Sequence, residues 1–128
     1  MDIAQLFLMT RDLERARAFY EALGFTVADE GSRSVEFDTG ATLLKLQADF
    51  DSETLSQFGL SPPGDARGEG VVVVVEVPDV DAVAERVRAA TDGHGGRLLA
   101  GPRDVDWGRR LVLVTDPDGY TLELSEPL

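Results

Sequence analysis

The sequence predicts an α+β fold built from two tandem βαβββ modules. The order of one strand, one helix and three strands is found twice along the chain. The two predicted helix caps, Asp12 and Asp79, are 67 residues apart, and the same offset aligns Gln5 with Val72. A repeat requires several independent elements to occur twice in the same order, so it is stronger evidence for the fold than any single element. We expect a single domain, with module one at 1–47, a linker or flap at 48–70 and module two at 71–128.

Module one begins with an apolar strand from Ile3 to Met9, followed by Asp12 as the N-cap of a helix. Apolar residues recur at helical spacing from Leu13 to Leu23, and Gly24 then ends the helix. Three short strands are predicted next, starting at Phe25, Ser34 and Thr42. Phe19 and Tyr20 on the helix are assigned to the core.

Module two repeats this order. The β-branched run from Val71 to Val77 predicts a strand, and Asp79 caps a helix that carries the apolar stripe Val80, Val83, Val87 and Ala90. The stretch TDGHGG is predicted to be a loop, followed by strands starting near Arg97, Arg109 and Tyr120.

The segment between the modules is rich in turn residues, with one short helix predicted after Asp51 or Ser52. It is interpreted either as a plain linker or as a flap that closes over a pocket through Phe50, Leu55 and Phe58.

Composition excludes several classes of function. The 128 residues contain 24 acidic and 12 basic side chains, for a net charge of −12. Such a surface repels phosphate backbones and anionic lipids, so neither nucleic acid nor membrane is expected as a partner. The chain has no cysteine, which excludes thiolate metal sites, and it shows neither a secretion signal nor a membrane-length apolar run. A cytoplasmic location is therefore predicted.

Several motifs together resemble the vicinal oxygen chelate superfamily of glyoxalases, bleomycin-resistance proteins and extradiol dioxygenases. They are the two modules, RDLERARAFYEALGF after the first strand, WGRR at Trp107 and the closing DPDGYTLEL. The resemblance implies that each module forms a curved mixed sheet and that paired modules form a cup around the site. It also implies metal ligands on the first and last strands of each module.

The four implied ligand positions fall on residues of very different chemistry. They are Gln5, Val72, Lys45 (or Leu44, if the register slips by one) and Glu123. An amide oxygen and a carboxylate can bind a metal, but valine and leucine offer no lone pair and an ammonium repels a cation. A divalent metal is therefore disfavoured as a cofactor, with Gln5 and Glu123 as its weak candidate ligands.

Other polar residues do not complete a metal site. His94 is interpreted as an exposed loop residue, and Glu36 is expected to point outward rather than into the cup. Asp104 and Asp106 offer only a weak chelate near Trp107.

Because Lys45 and Glu123 lie at corresponding positions, we expect them to face each other across the cup as an ion pair. The alternative is two solvent-facing residues on an exposed sheet. The remaining candidate ligand-binding residues are Gln5, Phe7 and Met9, which alternate along one strand face, together with Trp107 and Arg109. Trp107 is interpreted either as a pocket rim, beside an arginine that grips an anionic group, or as a core residue that caps the sheet.

Three functional classes remain open. The first is a homodimeric protein that binds a small molecule in the cup without metal, within one chain or between two. The second is a lyase, isomerase or dioxygenase that uses Glu123 as a catalytic base or binds a metal unconventionally. The third is a structural or regulatory interaction domain.

Overall fold

A computed structural model describes all 128 residues and confirms the two βαβββ modules. Module one comprises β1 (Gln5–Thr10), α1 (Leu13–Leu23), β2 (Thr26–Glu30), β3 (Ser34–Asp38) and β4 (Leu43–Ala48). A short helix, α2 (Ser52–Gln57), lies in the joining segment. Module two comprises β5 (Val72–Glu76), α3 (Val80–His94), β6 (Arg97–Val105), β7 (Arg109–Thr115) and β8 (Thr121–Pro127).

Each module forms one four-stranded mixed sheet. Sheet one has the order β1-β4-β3-β2, and sheet two has the corresponding order β5-β8-β7-β6. In both sheets the first and last strands of the module are parallel neighbours at one side, while the other pairs are antiparallel. Neither sheet closes on itself, so β1 and β5 are both edge strands.

The helix caps explain why the two modules start their helices in register. Asp12 accepts a hydrogen bond from the Arg15 amide, and Asp79 accepts one from the Ala82 amide, both at 3.1 Å. These side chains satisfy amide groups that the first helical turn leaves without partners. Gly24 ends α1 with a φ of 108°, a conformation that favours glycine.

The second helix is longer than predicted. The TDGH part of the stretch assigned to a loop continues α3 to His94, and Gly95 follows as its C-cap. The Thr91 hydroxyl donates to the Val87 carbonyl one turn earlier, so the polar side chain is satisfied within the helix. His94 is therefore a half-buried residue of the last turn, and its backbone carbonyl accepts a hydrogen bond from Arg15.

Both modules bury the same side in one common core. α1 packs against α3, and the helix-facing sides of both sheets join them in a continuous hydrophobic cluster. Phe19 and Tyr20 are fully buried there, as the sequence predicts. Since each sheet turns its helix-facing side to this core, its other side faces away from it; we call these sides the outer faces.

The joining segment is held in place by a buried arginine that the sequence does not reveal. The Arg67 guanidinium forms a two-point ion pair with Asp49, at 2.7 and 2.6 Å, and also donates to the Met9 carbonyl at 2.9 Å. This bonding raises the pKa of Arg67 and lowers that of Asp49. Gly68 packs directly on the Tyr120 ring, where a side chain would collide. The segment is thus fastened to the ends of β1 and β4 and to the start of β8.

The DPDG turn before β8 supplies a buried polar network. Asp118 accepts hydrogen bonds from the Thr10 hydroxyl (2.5 Å) and the Arg11 amide (3.0 Å), tying module two to the end of β1. Asp116 accepts from the Tyr20 hydroxyl (2.7 Å) and from the amides of two residues of its own turn. Burial raises the pKa of the Asp116 carboxyl to about 6.

No helix has the length and apolar character needed to cross a membrane.

We predict that Arg67→Met lowers the free energy of unfolding by about 3 kcal/mol, because Asp49 loses its partner beside the buried Asp118 carboxylate. Urea denaturation measures the loss. Arg103→Met is the matched control, since Arg103 is exposed and makes no side-chain hydrogen bond, and its effect should stay within about 0.5 kcal/mol. Equal stability of the two variants would refute the role given to Arg67.

A second prediction concerns pH. The folded-state pKa of Asp116, about 6, lies above the ordinary value of 3.8, so the native state binds this proton more tightly and loses stability as pH rises towards and through 6. Asp116→Asn keeps an acceptor for the turn amides without this charge. Its unfolding free energy relative to the wild type should therefore improve by about 1 kcal/mol between pH 5 and pH 8. A difference that is constant over this range contradicts the assignment.

Candidate functional site

The outer face of sheet one carries the residues predicted to bind a ligand on β1. Leu6 and Leu8 contact the core, so period-two alternation puts Gln5, Phe7 and Met9 on the outer face. Phe7 is 42% exposed. The prediction that these three residues share one face is consistent with this burial pattern, while their role in binding stays a prediction.

Lys45 lies at the centre of this face. It is the register partner of Phe7 on β1 and of Glu36 on β3. The Lys45 Nζ atom lies 5.4 Å from the centroid of the Phe7 ring, within the range of a cation–π contact. Phe50, just after β4, stacks on the same Phe7 ring, with 6.2 Å between the centroids of the two rings. An ammonium group therefore sits beside a pair of stacked aromatic rings.

Glu36 shares this face, which corrects the expectation that it points away from the cup. The Gln5 amide donates a hydrogen bond to the Glu36 carboxylate at 3.3 Å. The reason is the pleat: Val35 and Phe37 are buried in the core, so the residue between them must lie on the outer face.

The outer face of sheet two is built around Glu123. Its register partners are Val74 on β5 and Leu113 on β7, so the carboxylate lies between two aliphatic neighbours. Its Oε2 atom accepts a hydrogen bond from the Ser125 hydroxyl at 3.0 Å. Val72 and Val74 are 52% and 59% exposed, which leaves an uncovered apolar strip beside Glu123.

Arg109 lies on the same face and already has hydrogen-bond partners within the chain. Its Nη2 atom donates to the Glu76 carboxylate at 3.0 Å and to the Ser125 hydroxyl at 3.2 Å. Ser125 thus connects Arg109 with Glu123. This arginine has a carboxylate partner in its own chain, so binding an anionic ligand group requires it to exchange or share that partner.

Trp107 is not a core residue. It lies in the turn between β6 and β7 and is 65% exposed, so the core-cap interpretation is wrong and the ring is free at the surface. Nearby Asp104 pairs with Arg110 at 3.0 Å, so this carboxylate already has a cationic partner.

The predicted ion pair between Lys45 and Glu123 is not formed within the chain. Strand register confirms that the two positions correspond. Lys45 pairs with Phe7 and Glu123 pairs with Val74, and Phe7 and Val74 are separated by the same 67 residues as the two helix caps. However, Lys45 has no carboxylate within 4 Å and Glu123 no cationic group. Because both sheets turn their inner sides to one core, their outer faces are not opposed within one chain.

The residues at the four implied metal positions do not fit a divalent metal. Val72 carries no donor atom and Lys45 brings a positive charge, while Gln5 and Glu123 lie on different sheets. Nowhere in the chain do three or more His, Asp or Glu side chains cluster as a metal site requires. These side chains therefore support no step through a metal at the implied positions.

Flap contacts are only partly as predicted. Leu55 is buried and Phe50 stacks on Phe7, but Phe58 is 76% exposed.

Sequence reasoning missed the contributions of Glu36 and Arg67. The alternation Val35-Glu36-Phe37 contained the signal for Glu36, whereas an arginine in a turn-rich segment gives no sign of burial.

Comparisons with known proteins agree with this geometry. The sequence profile of the Glyoxalase/Bleomycin resistance protein/Dioxygenase superfamily matches residues 2–124. An uncharacterized protein of Mycolicibacterium smegmatis is 31% identical over 128 residues, covering 99% of this chain and 95% of its own.

Two solved structures extend the comparison. A glyoxalase/bleomycin resistance protein/dioxygenase family enzyme from Burkholderia phytofirmans shares the fold with a TM-score of 0.79 at 20% identity, covering 100% of both chains. TnmS3, an antibiotic binding protein from Streptomyces sp. CB03234, has a TM-score of 0.68 at 26% identity, covering 100% of this chain and 97% of its own. The chain belongs to the Glyoxalase/Bleomycin resistance protein/Dioxygenase superfamily.

Proposed function

We propose that this protein is a metal-free homodimer that binds a small molecule at the outer faces of its sheets. The observation that carries the proposal is the group formed by Phe7, Phe50 and Lys45, in which exposed aromatic surface surrounds a cation. Ligand sites typically combine apolar walls with a few convergent polar groups. The Gln5–Glu36 pair adds a donor and an acceptor beside the rings.

The chemistry of this group favours a flat, partly aromatic ligand. Phe7 and Phe50 offer ring faces for stacking, and Lys45 offers a donor to an oxygen of the ligand. The similarity to an antibiotic binding protein supports binding of an organic molecule of this kind.

The exposed apolar strip on sheet two supports the homodimer. Isolated exposed apolar residues are ordinary, but Val72 and Val74 lie next to each other on the outer face of an edge strand. Such edges are usually covered in native proteins, because they otherwise recruit other chains.

An enzymatic role is the second candidate, and Glu123 is the observation that favours it. Its carboxylate lies on the outer face with a hydroxyl donor and no neutralising cation. A carboxylate in this setting could act as a general base once a substrate excludes water. Glu123→Gln, which keeps the hydrogen bond to Ser125, would then abolish turnover while substrate still binds.

Metal analysis tests the metal-free part of the proposal. Protein purified without a histidine tag should contain far less than one equivalent of zinc, nickel, manganese or iron by plasma mass spectrometry. Added zinc should shift the melting temperature of the wild type and of Gln5→Ala equally. One tightly bound equivalent per chain, lost in Gln5→Ala or Glu123→Gln, would overturn it.

Thermal-shift measurements test the ligand site itself. Among flat aromatic compounds bearing phenol, carboxylate or amine groups, we expect some to raise the melting temperature of the wild type, because they bind only the native state. Phe7→Ala should lose this shift. Phe58→Ala is the control, since it removes an exposed phenylalanine ring that stacks on no other ring and contacts no cation. No shift with any compound, or the same shift in Phe7→Ala, contradicts the proposal.

A further inference from the structure

A cleft opens between the two modules on their helix-facing side, away from the outer faces. Its volume is about 300 Å³, at the lower end of the range for small-molecule sites. Each apolar side chain of its wall belongs to the common core or packs against it. These wall residues are Leu23, Phe25, Val75, Val77, Val83 and Leu124.

The internal repeat relates this cleft to a second junction of the modules, which is filled. There the turn between β7 and β8 (residues 116–120) lies against α1 and β1. Asp116 accepts a hydrogen bond from the Tyr20 hydroxyl, and Asp118 accepts one from the Thr10 hydroxyl. All four residues are at most 4% exposed, so their hydrogen bonds close this junction to solvent.

The cleft lacks all of these polar groups. The offset of 67 residues places Val87 where module one has Tyr20, and Val77 where it has Thr10. The turn between β3 and β4 (residues 39–42) has the sequence TGAT, one residue shorter than DPDGY and without a carboxylate. Because both sides of this junction lack the polar groups, neither leaves a buried partner unsatisfied, and an apolar cleft takes the place of the network.

The cleft also leaves part of β5 uncovered. Leu8 on β1 is buried, whereas Val75 at the corresponding position of β5 is only half-buried, and so is Val77. α1 has 11 residues and α3 has 15, so the helix of module one ends a turn earlier and covers less of this junction. A ligand with an apolar body would bury the strand surface that remains open.

The mouth of the cleft carries a carboxylate without a cationic partner. The charged residues that line the cleft, Asp38 and Glu76, are both exposed, so they lie at its mouth. Glu76 pairs with Arg109. Asp38 accepts only from the Gly40 amide, at 3.1 Å, and has no cationic group within 4 Å.

Arg86 is the guanidinium group nearest to this mouth, and its position has another explanation. It lies against Gly24, where any side chain would collide with it. A cation at this place complements the carbonyl groups at the end of α1, whose last turn has no basic residue of its own. Asp38 thus remains available to a positive charge supplied by a ligand.

We propose that this cleft binds a small molecule with an apolar body and a terminal amine. The body lies against Phe25, Val75 and Val77, and the ammonium group pairs with Asp38 at the mouth. The site is separate from the one on sheet one, because its wall belongs to the helix-facing sides of the sheets.

Three probes that share one apolar body test the proposal: phenethylamine, phenethyl alcohol and hydrocinnamate. Titration followed by amide NMR chemical shifts should give saturable changes in residues 23–25 and 75–77. The amine should bind about threefold more tightly than the alcohol, the gain expected from an exposed ion pair. The anionic hydrocinnamate should bind most weakly.

Two substitutions separate the charge from the cavity. Asp38→Asn should remove the preference for the amine, and the matched control Asp92→Asn, an exposed residue of α3 that does not line the cleft, should keep it. Val75→Phe should fill the cleft and abolish binding of all three probes. Val77→Phe replaces it if Val75→Phe fails to fold.

Equal affinity of the wild type for amine and alcohol would overturn the proposal. So would an undiminished amine preference in Asp38→Asn, or unchanged binding in a folded Val75→Phe. Phe7→Ala should keep amine binding in the cleft. Shifts confined to the outer face of sheet one and lost in Phe7→Ala assign the amine to the site of the proposed function and contradict a site in the cleft.

Discussion

The packing of α1 against α3 determines the rest of the structure. Each helix covers one side of its own sheet, and the two helices contact each other, so both sheets bury their helix-facing sides in one core. Strand alternation then fixes which residues remain for function. The outer faces, which this core leaves uncovered, carry Gln5, Phe7, Lys45, Glu123 and the exposed valines of β5. One chain therefore presents two separate outer faces, one on each sheet.

A buried polar network makes this arrangement rigid where the modules meet. Asp118 joins the closing turn to β1, and Arg67 joins the linker to Asp49 and to the Met9 carbonyl. Since Asp49 directly precedes Phe50, the same ion pair positions the ring that stacks on Phe7. The DPDG turn thus contributes to the site from a distance: it organises the backbone that presents the aromatic pair.

Sequence patterns predicted the fold well because they depend on local physics. A few residues within or beside each element encode its features. These features are the caps at Asp12 and Asp79, the apolar stripes of the helices and the order of the strands. The predicted end of α3 was wrong because TDGH continues the helix to His94. Its last turn is held by a contact that local propensity does not reveal, the hydrogen bond from Arg15 to the His94 carbonyl. For the site, the correspondence of Lys45 and Glu123 was predictable from the repeat. Their separation was not, because it depends on which sides of the two sheets meet.

We propose a homodimer in which the outer faces meet between chains, which brings position 45 of one chain close to position 123 of its partner. Because the chain has no cysteine, Lys45→Cys and Glu123→Cys can each introduce a single thiol. When the two variants are mixed and treated with a short bismaleimide, we expect a covalent dimer containing one chain of each kind, identified by mass spectrometry. The contradicting result is that the mixture stays uncrosslinked while a chain carrying both substitutions links its two thiols internally.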